Sequence, residues 1–276
     1  MSSLPEMNGS KVVPVLRYPG GKQRLLAFLS RILPRRETIE GRYVEPFVGG
    51  ASVFLHVRPR NAVLSDSNAE LIDLYRAIKR DAGGVWERYR AFGNTKRDYY
   101  GARGLDPTKL RQTDRAARLL YLNRTCFKGN WRHNSKGQFN IGYGGQSRRW
   151  VIGLEYLKAV SSALRSASIR HSDFEPALED CQAGDFVFLD PPYLPGHREL
   201  VHDHYAWQRF TFEDHRRLAV SLRECASRGV RWCLTTSSHP DVLGLFRGFD
   251  VHDIPPRGQS QSRSGEIVIL SKGGGA

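Results

Sequence analysis

Phe186-Val187-Phe188-Leu189-Asp190-Pro191-Pro192-Tyr193 is the stretch on which the reading of this chain turns. Four apolar residues after Gly184 and Asp185 predict a buried parallel strand, and two prolines end it abruptly. Open α/β sheets bind ligands at the carboxyl ends of such strands. The acid, the rigid turn and the aromatic ring therefore stand where a ligand goes. An exocyclic amine on a base is a poor nucleophile, because its lone pair is delocalised into the ring. Two acceptors on its hydrogens turn that lone pair outward, toward a methyl donor. The Asp190 carboxylate and the Pro191 carbonyl are candidates for the two acceptors, because prolines offer no N–H and stiffen the backbone. Tyr193 is a candidate platform for the base. The plainer alternative is a turn that follows a strand.

Working outward, the pattern of strand, ligand residue and helix recurs. Arg42 to Phe47 reads as a strand, Gly49-Gly50 as a turn and Ala51 to His56 as a helix. Glu45, Phe47 and the glycines would face a bound nucleoside. Ala62 to Ser65 reads as a second strand with Asp66 at its tip, where an acid accepts from both ribose hydroxyls, and Asn68 can open a helix from Ala69 to Arg80. An ordinary strand–helix turn is the alternative for each. Ser168 to His171 is a third strand. After it, Phe174 could cover a purine and Asp173 accept from its amine, or the pair simply caps a helix. Near the start, Leu16-Arg17-Tyr18-Pro19-Gly20-Gly21-Lys22 is a glycine loop before a helical pattern from Arg24 to Leu33, suited to a carboxylate or phosphate. Downstream, Phe212 to Ser227 is a helix capped by Thr211, Trp232 to Thr236 a strand and Val242 to Phe246 a short helix. Phe249 to Ile254 and Glu266 to Leu270 form a hairpin. Leu194 to Arg209 reads as a mobile loop over the site.

The formal net charge of +14 over 276 residues is confined. Residues 76–165 hold 20 Lys/Arg against 6 Asp/Glu, while the rest of the chain holds 22 of each. Aromatics interleave there (Trp86, Tyr89, Tyr99, Tyr100, Tyr121, Phe127, Trp131), which points to a polyanion, nucleic acid first. Within the segment, Arg111 to Asn123 reads as a helix. Beyond it, the loop from Asn123 to Asn134 mixes basic donors, amides, aromatics and glycine, as base edges and phosphates require. A solvated basic face is the alternative. Cys126, Cys181, Cys225 and Cys233 are scattered, which fits a reduced cytoplasmic chain, and neither they nor the histidines form a metal pattern. No stretch is long and apolar enough to span a membrane. Residues 1–82 and 166–276 are expected to form the sheet domain, and 83–165 an insertion within it.

These motifs together resemble the Dam-like DNA adenine methylase family, whose members methylate the 6-amino group of adenine in duplex DNA. Leu16 to Lys22 is similar to its N-terminal cofactor motif, with Tyr18 where Trp is usual. Glu45-Pro46-Phe47-Val48-Gly49-Gly50 is similar to its glycine motif, and Asp190-Pro191-Pro192-Tyr193 to its catalytic motif. Leu122-Asn123-Arg124 and Gly137-Gln138-Phe139-Asn140 are similar to the edges of its recognition region. The resemblance implies an α/β, Rossmann-like S-adenosylmethionine-dependent methyltransferase sheet with an inserted, mostly helical target-recognition domain. It implies catalysis at Asp190, Pro191, Pro192 and Tyr193, without a metal. Cofactor contacts are expected from Tyr18, Lys22, Glu45, Phe47, Gly49, Asp66, Asp173 and Phe174, with Asp190. Duplex DNA is expected to meet Arg17, Arg124, Lys128, Asn130, Arg132 and Asn134, with Arg124 first choice for reading a base. A methyltransferase acting on cytosine, RNA or a protein amide, and a non-catalytic DNA-binding relative, are the alternatives.

Overall fold

The computed structural model describes residues 12–18, 20–134, 137–145, 152–194, 210–255 and 265–272. Its seven strands are β1 (Tyr43–Glu45), β2 (Ala62–Asp66), β3 (Ala167–His171), β4 (Phe186–Leu189), β5 (Arg231–Ser237), β6 (Asp250–Asp253) and β7 (Glu266–Leu270). They form one sheet in the order β3-β2-β1-β4-β5-β7-β6. The pairs β2–β3, β1–β2, β1–β4 and β4–β5 are parallel; β7 runs antiparallel to both its neighbours. After β1 the chain moves outward to β2 and β3, then returns to lay β4 on the other side of β1, with Val44 opposite Val187. That reversal of strand order opens a crevice above the carboxyl ends of β1 and β4. The fold is Rossmann-like, and the tetrapeptide at residues 190–193 stands in its crevice.

The helices are α1 (Leu26–Leu29), α2 (Ser52–Val57), α3 (Ala69–Arg90), α4 (Lys96–Gly104), α5 (Gln112–Thr125), α6 (Leu154–Leu164), α7 (Phe174–Glu179), α8 (Phe212–Ser227) and α9 (Pro240–Leu245). Strand alternation divides the apolar residues between two cores. Val44, Val187, Leu189, Trp232 and Leu234 pack with Leu178, Leu218, Leu222 and Val242 of α7, α8 and α9. Tyr43, Phe186, Phe188 and Cys233 face the other way, toward Phe54, Leu74, Ile78, Leu120 and Leu157. The expected helix from Arg24 to Leu33 is shorter, a single 3-10 turn at Lys22–Arg24 followed by α1, and no side chain caps its start.

The expected boundary at 82/83 falls beside a break in α3, where Asp81 leaves helical geometry (φ −150°, ψ 73°). The helix nevertheless continues to Arg90, ten residues past its expected end at Arg80. Among the described residues, the helical segment shares its core with the sheet. Tyr99, Leu120 and Tyr121 belong to the same buried cluster as Leu71, Leu74 and the sheet residue Leu64. Several cations of the basic segment, residues 76–165, act as clasps. Arg76 donates to the Ile169 carbonyl, Lys79 to Ala167, Arg103 to Ile141 and Arg115 to Leu110, while the buried Arg118 donates to Ala102 and Arg103. A positive charge among these backbone carbonyls sees the negative ends of their dipoles, which offsets part of its desolvation. The expected loop over the site, Leu194 to Arg209, lies outside the described residues from 195 onward, as do Pro19 and residues 256–264 of the hairpin connection.

Candidate active site

The apolar residues of β4 are held in the sheet, so the chain delivers Asp190 to its tip. There the Asp190 Oδ1 meets three donors. Lys22 Nζ lies 2.7 Å away, Thr235 Oγ1 2.8 Å and the Tyr193 hydroxyl 3.3 Å. Among the described residues, Oδ2 accepts no hydrogen bond. The Lys22 side chain is 5 % exposed and that of Asp190 20 %, so the pair is largely sheltered but open on one side. Lys22 also donates to the Gly20 carbonyl at 3.0 Å and stands 4.9 Å from the centroid of the Tyr193 ring. Lys22, expected at the cofactor, is paired in this structure with the Asp190 carboxylate. Tyr193 folds back on Asp190, and burial first, then the Asp190 charge, raises its phenol pKa well above the usual range.

The second cluster lies at the tips of β1 and β2. Asp66 is buried and accepts from the Gly49 N–H (3.0 Å, Oδ2) and the Asn68 N–H (2.9 Å, Oδ1). Burial raises its pKa, while these two N–H donors pull it down. Each carboxylate oxygen has a further acceptor direction. Asn68 in turn caps α3, accepting from Glu70 and Leu71. Gly49 has a positive φ (+43°), and a Cβ there would lie 3.1 Å from the Tyr18 ring. Gly50 is limited by the Tyr18 Cβ at 3.2 Å. The glycines are therefore needed because Tyr18 lies against them. Tyr75, which sequence reasoning missed, donates to the Gly49 carbonyl at 2.8 Å and props the turn from below.

Glu45 lies beneath this turn. It is buried, and its Oε2 accepts from the Phe54 N–H (3.1 Å) and the Tyr43 hydroxyl (2.7 Å). Burial, opposed by the Tyr43 hydrogen bond, pushes its carboxyl up to about 8. Expected beside a nucleoside, the Glu45 side chain is buried here and ties β1 to α2.

At the tips of β1 and β3, Phe47 stacks on Phe174 (centroids 5.5 Å apart), and Phe210 meets both rings. Phe174 is buried, and Arg217 of α8 stands 5.0 Å from its ring. Asp173 caps α7 by accepting from the Glu175 N–H at 3.2 Å and lies 3.4 Å from Arg217 Nη2. Asp173 is thus a helix cap in this structure, engaged through Oδ1. Phe210 and Arg217 carried no sequence signature; only the packing of α8 on α7 brings them here.

The loop after α5 is tied to the N-terminal segment. Asn123 exchanges two hydrogen bonds with the backbone of Arg17 (2.8 and 2.9 Å). Arg124, expected to read a base, instead donates through Nε to the Val15 carbonyl (2.7 Å) and through Nη2 to Pro14 (3.4 Å). Burial lowers its pKa. In this structure the guanidinium is a clamp within the protein. Gly129 is in contact with the Arg17 side chain, since a Cβ there would fall 2.5 Å from Arg17 Cδ. Lys128, with φ +58°, and Phe127, 47 % exposed, form the tip. The Lys128 Nζ lies 5.3 Å from the Phe127 ring centroid. Asn130 is half-buried, with its N–H on the Phe127 carbonyl. Arg132 Nε donates to Asn140 Oδ1 at 2.9 Å. Asn134 closes the turn on Gln138, with its Oδ1 3.0 Å from the Gln138 N–H. His133 Nε2 stands 2.9 Å from Glu70 of α3, linking the loop to the helix that Asp66 and Asn68 open.

A parallel strand order with its switch point at an acid–proline–proline–tyrosine turn, a glycine turn beneath an aromatic and a strand-tip carboxylate define a methyltransferase of the Rossmann-like class. The profile of the D12 class N6 adenine-specific DNA methyltransferases matches residues 18–255. The Type II methyltransferase M1.LlaDCHI of Lactococcus lactis subsp. cremoris is 32 % identical over 285 residues, covering 98 % of this chain and 99 % of that protein. The Type II methyltransferase M.MjaIII of Methanocaldococcus jannaschii is 31 % identical over 264 residues, 88 % of this chain and 91 % of that one. The DNA adenine methylase of Haemophilus influenzae is 30 % identical over 211 residues, 75 % and 72 %. The chain belongs to the D12 class N6 adenine-specific DNA methyltransferase family. It is an enzyme of adenine methylation in DNA, and the alternatives of another amine or a non-catalytic relative fall away. Membership implies S-adenosylmethionine in general terms. The glycine turn, where a Cβ would crowd Tyr18 at 3.1–3.2 Å, and the buried carboxylate at the β2 tip fit such a nucleoside. Among the described residues, no cluster of His, Cys, Asp or Glu could hold a metal, and no helix is long and apolar enough to cross a membrane.

Proposed function

We propose that this chain methylates the 6-amino group of a flipped adenine in duplex DNA, with Asp190 Oδ2 and the Pro191 carbonyl as acceptors for the two amino hydrogens. The observation that carries this is the asymmetry of Asp190, whose Oδ1 is held by three donors while, among the described residues, Oδ2 accepts no hydrogen bond. S-adenosylmethionine supplies the electrophilic methyl group. Asp66 binds the ribose hydroxyls through its remaining lone pairs. Tyr18 and Gly49 line the turn, and Phe47, Asp173 and Phe174 bound the purine. The contact between the Phe47 and Phe174 rings supports an edge-on purine rather than one sandwiched between them. Pro192 stiffens the turn, and the Tyr193 face opposite Lys22 receives the target base.

A base inside a duplex keeps its amine out of such a crevice, so the adenine leaves the stack. Residues 83–165 are the target-recognition insertion in this reading. Phe127 at the exposed tip fits the gap left in the stack, beside Lys128 for a phosphate. Asn130, Arg132 and Asn134 face the DNA along the same loop, with Arg17 next to it. The test is single-turnover methyl transfer by Phe127→Ala to a matched duplex and to one whose target adenine is already unpaired. A loss of roughly tenfold or more on the matched duplex, relieved by the unpaired target, supports the wedge. An equal loss on both would remove Phe127 from flipping.

A further inference from the structure

We propose that Thr235 of β5 is a positioning residue for methyl transfer: its hydroxyl fixes the plane of the Asp190 carboxylate so that Oδ2 alone faces the incoming amine. The inference rests on the reading of Asp190 as the amine's acceptor. Thr235 is fully buried, in the register between Leu234, which pairs with Leu189, and Thr236. A hydroxyl at such a position carries a desolvation cost that valine, of nearly the same shape, would avoid. Its Oγ1 stands 2.8 Å from Asp190 Oδ1 and 3.2 Å from the Leu189 carbonyl. It has one proton, and the charged oxygen is the stronger acceptor.

The geometry assigns different tasks to the donors on Oδ1. Lys22 neutralises charge but reaches Asp190 from a glycine loop on a four-carbon stem. Tyr193 is the longest of the contacts, at 3.3 Å. Thr235 approaches from a central strand with a β-branched side chain, whose χ1 is restricted. It is therefore the rigid reference against which the carboxylate is aligned. Without it, the carboxylate plane can swing away from the orientation the amine needs, which loses the benefit of a fixed acceptor.

The test uses the full chain, labelled S-adenosylmethionine and duplex DNA from a host without adenine methylation, with enzyme in excess so that one turnover is read. Thr235→Val should slow methyl transfer by roughly ten- to a hundredfold, the loss of one hydrogen bond to a charged group. Affinities for cofactor and for DNA should stay within about twofold, and Thr235→Ser should recover most of the rate. If Thr235→Val does not fold, Thr235→Ala, which also lacks the hydroxyl, should match the expected valine rate and not the serine one. A wild-type rate in Thr235→Val, or a loss shared equally by the serine variant, or a loss carried by cofactor affinity, would overturn the proposal. Asp190→Ala run alongside separates the two claims. Full activity there sinks the reading of Asp190, whereas its loss together with a fully active Thr235→Val sinks only the role of Thr235.

Discussion

Asp190 and Asp66 are both acids at strand tips, yet their surroundings give them different duties. Asp66 staples the glycine turn to the start of α3 through two backbone N–H groups, and it is the candidate ribose ligand. Asp66→Ala is expected to weaken cofactor binding by at least the 1.5–3 kcal/mol or so of a charge-assisted bond and to lower the melting temperature as well. Calorimetric titration with an unchanged dissociation constant would return Asp66 to a purely structural place. Glu45 makes a prediction in pH. Its carboxyl is raised from 4.5 to about 8, so between those values the folded chain holds a proton that the unfolded chain has lost. Its contribution to stability is present in full below about 4.5 and is lost as pH rises through about 8. Denaturant unfolding across that window should show stability falling with rising pH in the parent and a flatter profile in Glu45→Gln. Parallel profiles would show that Glu45 titrates as an exposed acid does. The places of Asp190 and Asp66 at strand tips were legible in the sequence, because each acid ends an apolar run. Thr235, Tyr75 and Arg217 were not, since their partners lie 45, 26 and 42–44 residues away and only the assembled sheet and helices bring them close.

At the scale of elements, the N-terminal segment and α5 form one unit. Asn123 and Arg124 hold Val15 and Arg17 by their backbone, and Arg17 lies against Gly129 in the loop tip. Arg124→Ala should therefore lower the melting temperature and weaken cofactor binding, with a cost of about 1–3 kcal/mol, and leave the preference among DNA sequences unchanged. A selective loss at one base pair of the target site would restore Arg124 to base reading. The contrast is Lys128→Ala, which should weaken binding to every duplex alike and reduce the salt slope by about one unit. A basic residue in a loop rich in amides and aromatics reads the same whether it points to DNA or to the protein's own carbonyls. Which of the two it does depends on residues 14 and 15, more than a hundred positions away. The strands were legible nearly to the residue, as with Phe186–Leu189 and Glu266–Leu270, because short apolar runs bounded by glycine, proline or polar residues mark them. The second half of α3 was not, because Asp81 and two glycines interrupt a helix that packing then restores.

At the scale of the whole molecule, the sheet order places the acid of β4 beside the glycine turn of β1, and the basic segment flanks that crevice. The confinement of the +14 charge to residues 76–165 pointed correctly to a nucleic-acid enzyme, but not every charge there is available to DNA. Arg76, Lys79, Arg115, Arg118 and Arg124 are bound to backbone carbonyls. The logarithmic salt dependence of DNA binding should accordingly correspond to far fewer phosphate contacts than the formal charge suggests, and Arg118→Ala should lower stability without altering that slope. A slope approaching the full charge would contradict this division. The central claim is that the Asp190 carboxylate accepts the amino hydrogens of adenine during methyl transfer. It is tested most directly by single-turnover methyl transfer with Asp190→Ala, with cofactor affinity measured on the same folded protein. A rate lower by a factor of hundreds or more with cofactor still bound is the predicted result; transfer at the parent rate would contradict it.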